Sequence, residues 1–115
     1  MSKAKHARID GFFRIIHMDE WDQDYVDVEI DAYIRFEKNG GEFEFGYIQG
    51  DMDCEHTVRD GKPAIEWSWD GDAEEDHATG RGWAVLRDDG LIEGKIYIHC
   101  GDNSGFTATN KKKKG

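Results

Sequence analysis

The sequence predicts an all-β fold: a single-domain antiparallel meander forming a small closed or nearly closed barrel of about eight strands. Three observations predict it. Apolar residues alternate with polar ones at a period of two along most of the chain, the pattern of strands with one buried face. Asn-Gly and Asp-Gly pairs punctuate those runs, as tight hairpins require. The chain has 115 residues, of which 37% are hydrophobic, enough for one core and too few for two.

Strands are expected over 10–17, 25–30, 32–38, 42–49, 51–58, 63–70, 80–87 and 91–100, with a short ninth over 105–109. Val26, Val28 and Ile30 alternate with Asp27 and Glu29, and Ile34 and Phe36 with Arg35 and Glu37. Phe43, Phe45 and Tyr47 alternate with Glu44 and Gly46, and Ile65, Trp67 and Trp69 with Glu66 and Ser68. Ile92, Ile96 and Ile98 close the series against Glu93, Lys95 and Tyr97. Asn39-Gly40, Asp60-Gly61 and Asp89-Gly90 supply the positive φ angles of the turns. Gly46, Gly50, Gly82 and Gly94 fall inside strand patterns, where bends and bulges let a small sheet close. A single helical turn is expected over 18–23, because Asp19, Glu20 and Asp22 suit a helix start. The longest interruption is the acidic stretch from Asp70 to Thr79. The domain runs over 9–110, between a basic N-terminus (1–8) and a lysine-rich tail (111–115).

Charge narrows the partners. The whole chain carries −10. Residues 9–110 hold 8 of the 15 bases and all 25 acids, a net −17. A body this negative repels phosphate backbones and anionic lipid, which argues against nucleic acid and membrane as partners. Met1 to Arg8 lacks the apolar stretch of a secretory signal, and no run is long enough to span a bilayer, so the expected compartment is the cytoplasm. Cys54 and Cys100 are too few for a disulfide scaffold and read as small buried thiols.

Four groups of residues are candidates for chemistry. Asp70, Asp72 and Asp76 alternate like the opening of a calcium loop, but Glu75 stands where Gly is needed and Arg81 where a bidentate Glu is needed. The plain alternative is a solvated acidic loop with no metal. Glu66, Arg81, Tyr97 and His99 form a polar set on neighbouring strands. A hairpin centred on Gly90 would set His99 opposite Arg81 and Tyr97 opposite Trp83, either as an anion or acid–base site or as a solvated ion-pair ladder. His99, Asp102 and Ser104 are triad residue types but lie too close in sequence to converge as one. Trp67, Trp69 and Trp83, with Phe43, Phe45 and Tyr47, would either line an apolar cavity or pack as core. Trp21 and Phe13 fall off the alternation and are candidates for a partner surface.

The phrases Gly11-Phe-Phe-Arg-Ile15, Trp21-Asp-Gln-Asp-Tyr-Val-Asp27, Gly80-Arg-Gly-Trp-Ala84 and Gly94-Lys-Ile-Tyr-Ile-His-Cys-Gly-Asp-Asn-Ser-Gly-Phe106 resemble a set of short bacterial proteins that carry no assigned activity. The resemblance covers nearly the whole chain. It implies a free-standing bacterial cytoplasmic protein and brings no catalytic residue with it.

The leading expectation is a non-enzymatic barrel that binds a small ligand at its mouth, or a protein through an exposed strand edge, with no cofactor. The ligand-binding residues expected are Glu66, Trp69, Arg81, Trp83 and His99, and the net charge favours a neutral or cationic ligand. One alternative is a small hydrolase or lyase using His99 with Glu66 or Arg81. Another is an acidic decoy that binds a basic protein. Edge-to-edge pairing would also allow a homodimer.

Overall fold

A computed structural model describes residues 9–110. The basic N-terminal segment 1–8 and the lysine tail 111–115 lie outside the described residues. The strands are β1 (Gly11–Met18), β2 (Tyr33–Phe36), β3 (Gly40–Phe45), β4 (Ile48–Arg59), β5 (Lys62–Ala73), β6 (Asp76–Leu86), β7 (Ile92–Ile98) and β8 (Asn103–Thr109), with one helical turn, α1 (Gln23–Val26), after β1. Each strand pairs antiparallel with the next, and β8 returns to β1 to close the barrel. The expected meander and its closure are therefore what the chain forms. Among the described residues, no helix is long and apolar enough to cross a membrane.

Alternation decides the inside. Along β4 and β5, buried Met52, Cys54, Ile65, Trp67 and Trp69 point inward, while Asp51, Asp53, Glu66 and Asp70 point out. The interior is filled by side chains. Phe43 meets Trp69 edge-on at 5.1 Å, and Phe36 meets Trp67 at 5.5 Å. Such aromatic pairs bury large areas in offset or edge-to-face geometry. Trp67 and Trp69 are each only 3% exposed, so these rings are core and not the lining of a hollow barrel.

Several expectations are corrected. Residues 25–30 are not a strand. Asp22 caps α1 by accepting a hydrogen bond from the Tyr25 N–H, and this local capping outweighs the alternation of Val26, Val28 and Ile30. β1 already pairs with β2 and β8, so no neighbour is left for a strand at 25–30. The helical turn thus lies slightly later than expected. It closes one barrel mouth, with Val26 buried, the Gly46 N–H donating to the Val26 carbonyl, and Trp21 5.4 Å from Phe45. Phe13 is buried in the core and offers no partner surface, and Trp21 packs against that core while partly buried.

The turn expected near Gly50 sits instead at Gly46-Tyr47, where Gly46 has φ +56°. Gly50 lies within β4, beneath the Phe43 and Trp69 rings. The acidic stretch is not a loop: β5 and β6 continue through it to a tight turn at Glu74-Glu75. Asp70 and Asp72 therefore stand on the outer face of β5. Cys100, expected to be buried, is exposed in the β7–β8 turn with φ +63°. Closure also removes most strand edges; residues 55–59 of β4, which pair with β5 alone, are a remaining run.

Candidate functional site

The outer faces of β5, β6 and β7 form the candidate site. Cross-strand register sets its rows. Glu66 lies opposite Trp83, and Trp83 opposite Lys95. One step along, Ser68 lies opposite Arg81, Arg81 opposite Tyr97, and Tyr97 opposite Asn103. His99 follows the end of β7 and donates its backbone N–H to the Thr79 carbonyl at 2.7 Å. Apart from Lys95, which stands beside it, these residues line an open groove of about 840 Å³.

All five residues expected to bind ligand line this groove, but not in the expected arrangement. Arg81 faces Tyr97, not His99, and Trp83 faces Lys95, not Tyr97. The hairpin is centred on Asp89, because Leu86 pairs with Ile92 and the Arg87 N–H closes the turn onto the Leu91 carbonyl. Gly90, at φ +89°, takes the left-handed position that ends this three-residue loop. Moving the centre by one residue moves each pairing by two.

Trp69 contributes from beneath. Its ring is buried under Gly80, and its indole N–H donates to the Tyr97 carbonyl at 3.0 Å, which fixes the strand that carries Tyr97. Trp83 stands on the outer face, half-buried, with the Arg59 guanidinium carbon 4.1 Å from its ring centre. Arg59 also lies 4.0 Å from Glu66. The Lys95 ammonium is 5.6 Å from the Tyr97 ring. Arg59, Thr79 and Asn103 were not expected in the site. Arg59 reaches it only through its long side chain crossing β5, which no sequence periodicity encodes.

Arg81 is electrostatically distinct. Arg14, Arg35, Arg59 and Arg87 each hold an acidic partner. Arg81 holds none among the described residues, although the chain has 25 acids. It is exposed, with Tyr97 across from it and Trp83 two residues along the same face. Arg81 thus shares an outer face with two aromatic residues, over whose rings Arg59 and Lys95 lie, and its unpaired guanidinium suits a carboxylate or phosphate.

Glu66 and His99 are not a pair. His99 aligns with Thr79, which lies opposite Asp70, four residues along β5 from Glu66. Four strand steps span about 13 Å, and two strand spacings add a lateral offset of about 10 Å. Direct proton transfer between them is out of reach in this arrangement. Nor do Asp70, Asp72 and Asp76 converge: among the described residues, no three His, Cys, Asp or Glu side chains are grouped to hold a metal ion. Ser104 is buried, donating to the Gly105 carbonyl and accepting from the Glu20 N–H.

Burial pushes the Cys54 thiol up to about 12, helped by the neighbouring Asp53 charge. A thiol so raised keeps its proton at neutral pH, the form that is not nucleophilic. The chain matches no family model, no curated protein and no solved structure, so the barrel and its groove are read from their own geometry.

Proposed function

We propose that the protein binds a small planar ligand carrying an anionic group, held on the outside of the barrel in the groove of β5–β7. The observation that carries this reading is the Arg81 guanidinium, without an ion pair among the described residues, on the same outer face as Trp83 and Tyr97. A carboxylate or phosphate would take the Arg81 fork, and the ring would lie against the aromatic side chains. Arg59 and Lys95 add positive charge beside the groove. Against Glu66 in the lining, these cations make the groove less negative than the body around it, which favours an anionic group at Arg81 over the neutral or cationic ligand that overall charge suggests. The packed interior, and α1 packed against one end of the barrel, support a site on the wall over one at the mouth.

The test is titration with naphthalene-2-carboxylate, followed by tryptophan fluorescence and indole N–H chemical shifts. Saturable binding that perturbs Trp83 is expected, weakened roughly ten-fold or more by Arg81→Ala, with little response to uncharged 2-naphthol. Binding that is absent, or indifferent to Arg81→Ala, would overturn the reading.

A second reading is favoured by a different face. On β4 and β5, Asp51 lies directly opposite Asp70, and Glu55 opposite Glu66. Like charges so placed are destabilising, yet Asp53, Asp72, Glu42 and Glu44 extend the same surface. A contiguous acidic face of this kind suits a basic protein segment. An arginine-rich peptide should bind it with an affinity that falls steeply with salt and falls again in Asp51→Asn/Asp70→Asn. Salt-independent binding, or none, would remove this reading.

A further inference from the structure

We infer that residues 55–59 of β4 pair antiparallel with the same residues of a second copy of the chain, joining two barrels edge to edge. β3 accompanies β4 only as far as Asp53, and the Cys54 N–H is taken by the Asn39 carbonyl. From Glu55 to Arg59, strand pairing among the described residues is with β5 alone. Because the Cys54 N–H points to the β3 side, alternation turns the N–H and C=O groups of His56 and Val58 to that same open side. Val58 is also 61% exposed, the highest value among the large hydrophobic residues described as exposed. The His56 ring bonds the Lys38 carbonyl at 3.1 Å, so the β2–β3 turn stands beside the start of this run, and beyond it an edge without a strand partner, carrying an apolar side chain, is a template for another strand.

The segment is complementary to itself. With a two-fold axis at Thr57, Glu55 of one copy faces Arg59 of the other, and His56 faces Val58. The His56–Val58 pairs exchange both of their backbone hydrogen bonds, and the two Thr57 residues meet at the close, non-hydrogen-bonded position. Glu55, Thr57 and Arg59 share the outer face, so the opposite charges meet on one side of the sheet. Moving the axis by one residue sets Glu55 against Thr57 or Gly61 and loses the match. The same alignment brings a cation to Glu55, which within its own chain lies opposite Glu66. Arg59, which in the single chain lies over Trp83 and 4.0 Å from Glu66, turns from the groove to Glu55 in this pairing; the inference otherwise does not depend on what the groove binds.

Sedimentation velocity over a wide concentration range tests it, with amide exchange at His56 and Val58. The expected result is concentration-dependent dimerisation that slows exchange at those two amides. Val58→Pro removes an edge donor without removing a bond to β5 and should leave a folded monomer. Glu55→Arg or Arg59→Glu alone should weaken the dimer about ten-fold, and the double swap should restore it to within about three-fold. A chain that stays monomeric overturns the proposal, whether the two amides exchange freely or are already protected by its own residues. So does a dimer indifferent to both Val58→Pro and the charge swap.

Discussion

The Trp67 indole lies over Gly82 so closely that a Cβ on Gly82 would stand 2.3 Å from the ring. The two residues are cross-strand partners on the inner face of β5 and β6. Gly82→Ala should therefore overpack the core and cost about 1–3 kcal/mol. Gly90 has open space around it but a left-handed φ of +89°, so Gly90→Ala should cost about 1 kcal/mol from backbone strain alone. Denaturant midpoints of the two variants, at unchanged slope, compare the mechanisms. A Gly82→Ala variant as stable as the parent would mean that the ring is not fixed there.

Asp27 ties the helical turn to the barrel. Its carboxylate accepts from the Ala32 N–H at 2.8 Å, the Arg14 guanidinium at 3.1 Å and the Gln23 amide at 3.0 Å. Asp27→Ala takes the acceptor from the Ala32 N–H, while Arg14 keeps Asp31 and Gln23 keeps the Ile15 carbonyl, and should destabilise by about 1–3 kcal/mol. Asp27→Asn keeps an acceptor for Ala32 and should fall between the parent and Asp27→Ala. Thermal unfolding of the three proteins gives the order; equal melting temperatures would show that the network does not hold the turn.

The two thiols should react unequally. Cys100 is exposed, whereas Cys54 is buried with its thiol pushed up to about 12. A disulfide reagent at pH 8 should label one thiol per native chain, and both once the chain is denatured. Mass analysis of the labelled peptide identifies Cys100 as the site. Rapid labelling of Cys54 in the native protein would mean that this part of β4 opens locally.

Alkaline pH should weaken the fold. Tyr33 is raised to about 12, first by burial and then by its hydrogen bond to Glu42, and Cys54 is raised by burial. Both are acids that keep their protons in the native state. The unfolded chain releases them at ordinary values, about 8.5 for the thiol and 10 for the phenol. Above those values the unfolded state binds fewer protons, so stability falls with rising pH and levels off near pH 12. Tyr33→Phe removes one titrating group and should flatten the decline above about pH 10. An unchanged slope in that variant would exclude Tyr33 as a cause.

Where the sequence was legible, local rules sufficed. The alternation of Ile65, Trp67 and Trp69 with Glu66 and Ser68 gave β5 and its inward face, and Asp60-Gly61 gave the turn before it. Val26, Val28 and Ile30 show the same alternation yet form no strand, because pairing needs a neighbour and β1 already had two. The acidic residues from Asp70 to Asp76 looked like a loop because charge obscured a strand whose partners were not evident from composition. In the groove, the residue types Glu66, Arg81, Tyr97 and His99 were legible as a set. Their spacing was not, because a one-residue choice of turn centre, Asp89 in place of Gly90, decides which side chains face one another.

The order of residues alone determined an antiparallel barrel with an apolar inside and an acidic outside, because strand periodicity and turn chemistry are local properties. Tertiary structure decided the rest. Packing filled the interior with Trp67, Trp69 and the phenylalanines, which excludes a ligand from that space and leaves the wall as the candidate surface. Register then set Arg81 on one outer face with Trp83 and Tyr97 and without an ion pair among the described residues, a free cation on a chain of net charge −10. Net charge is a sum over the whole chain, whereas binding responds to the few groups that the fold brings side by side.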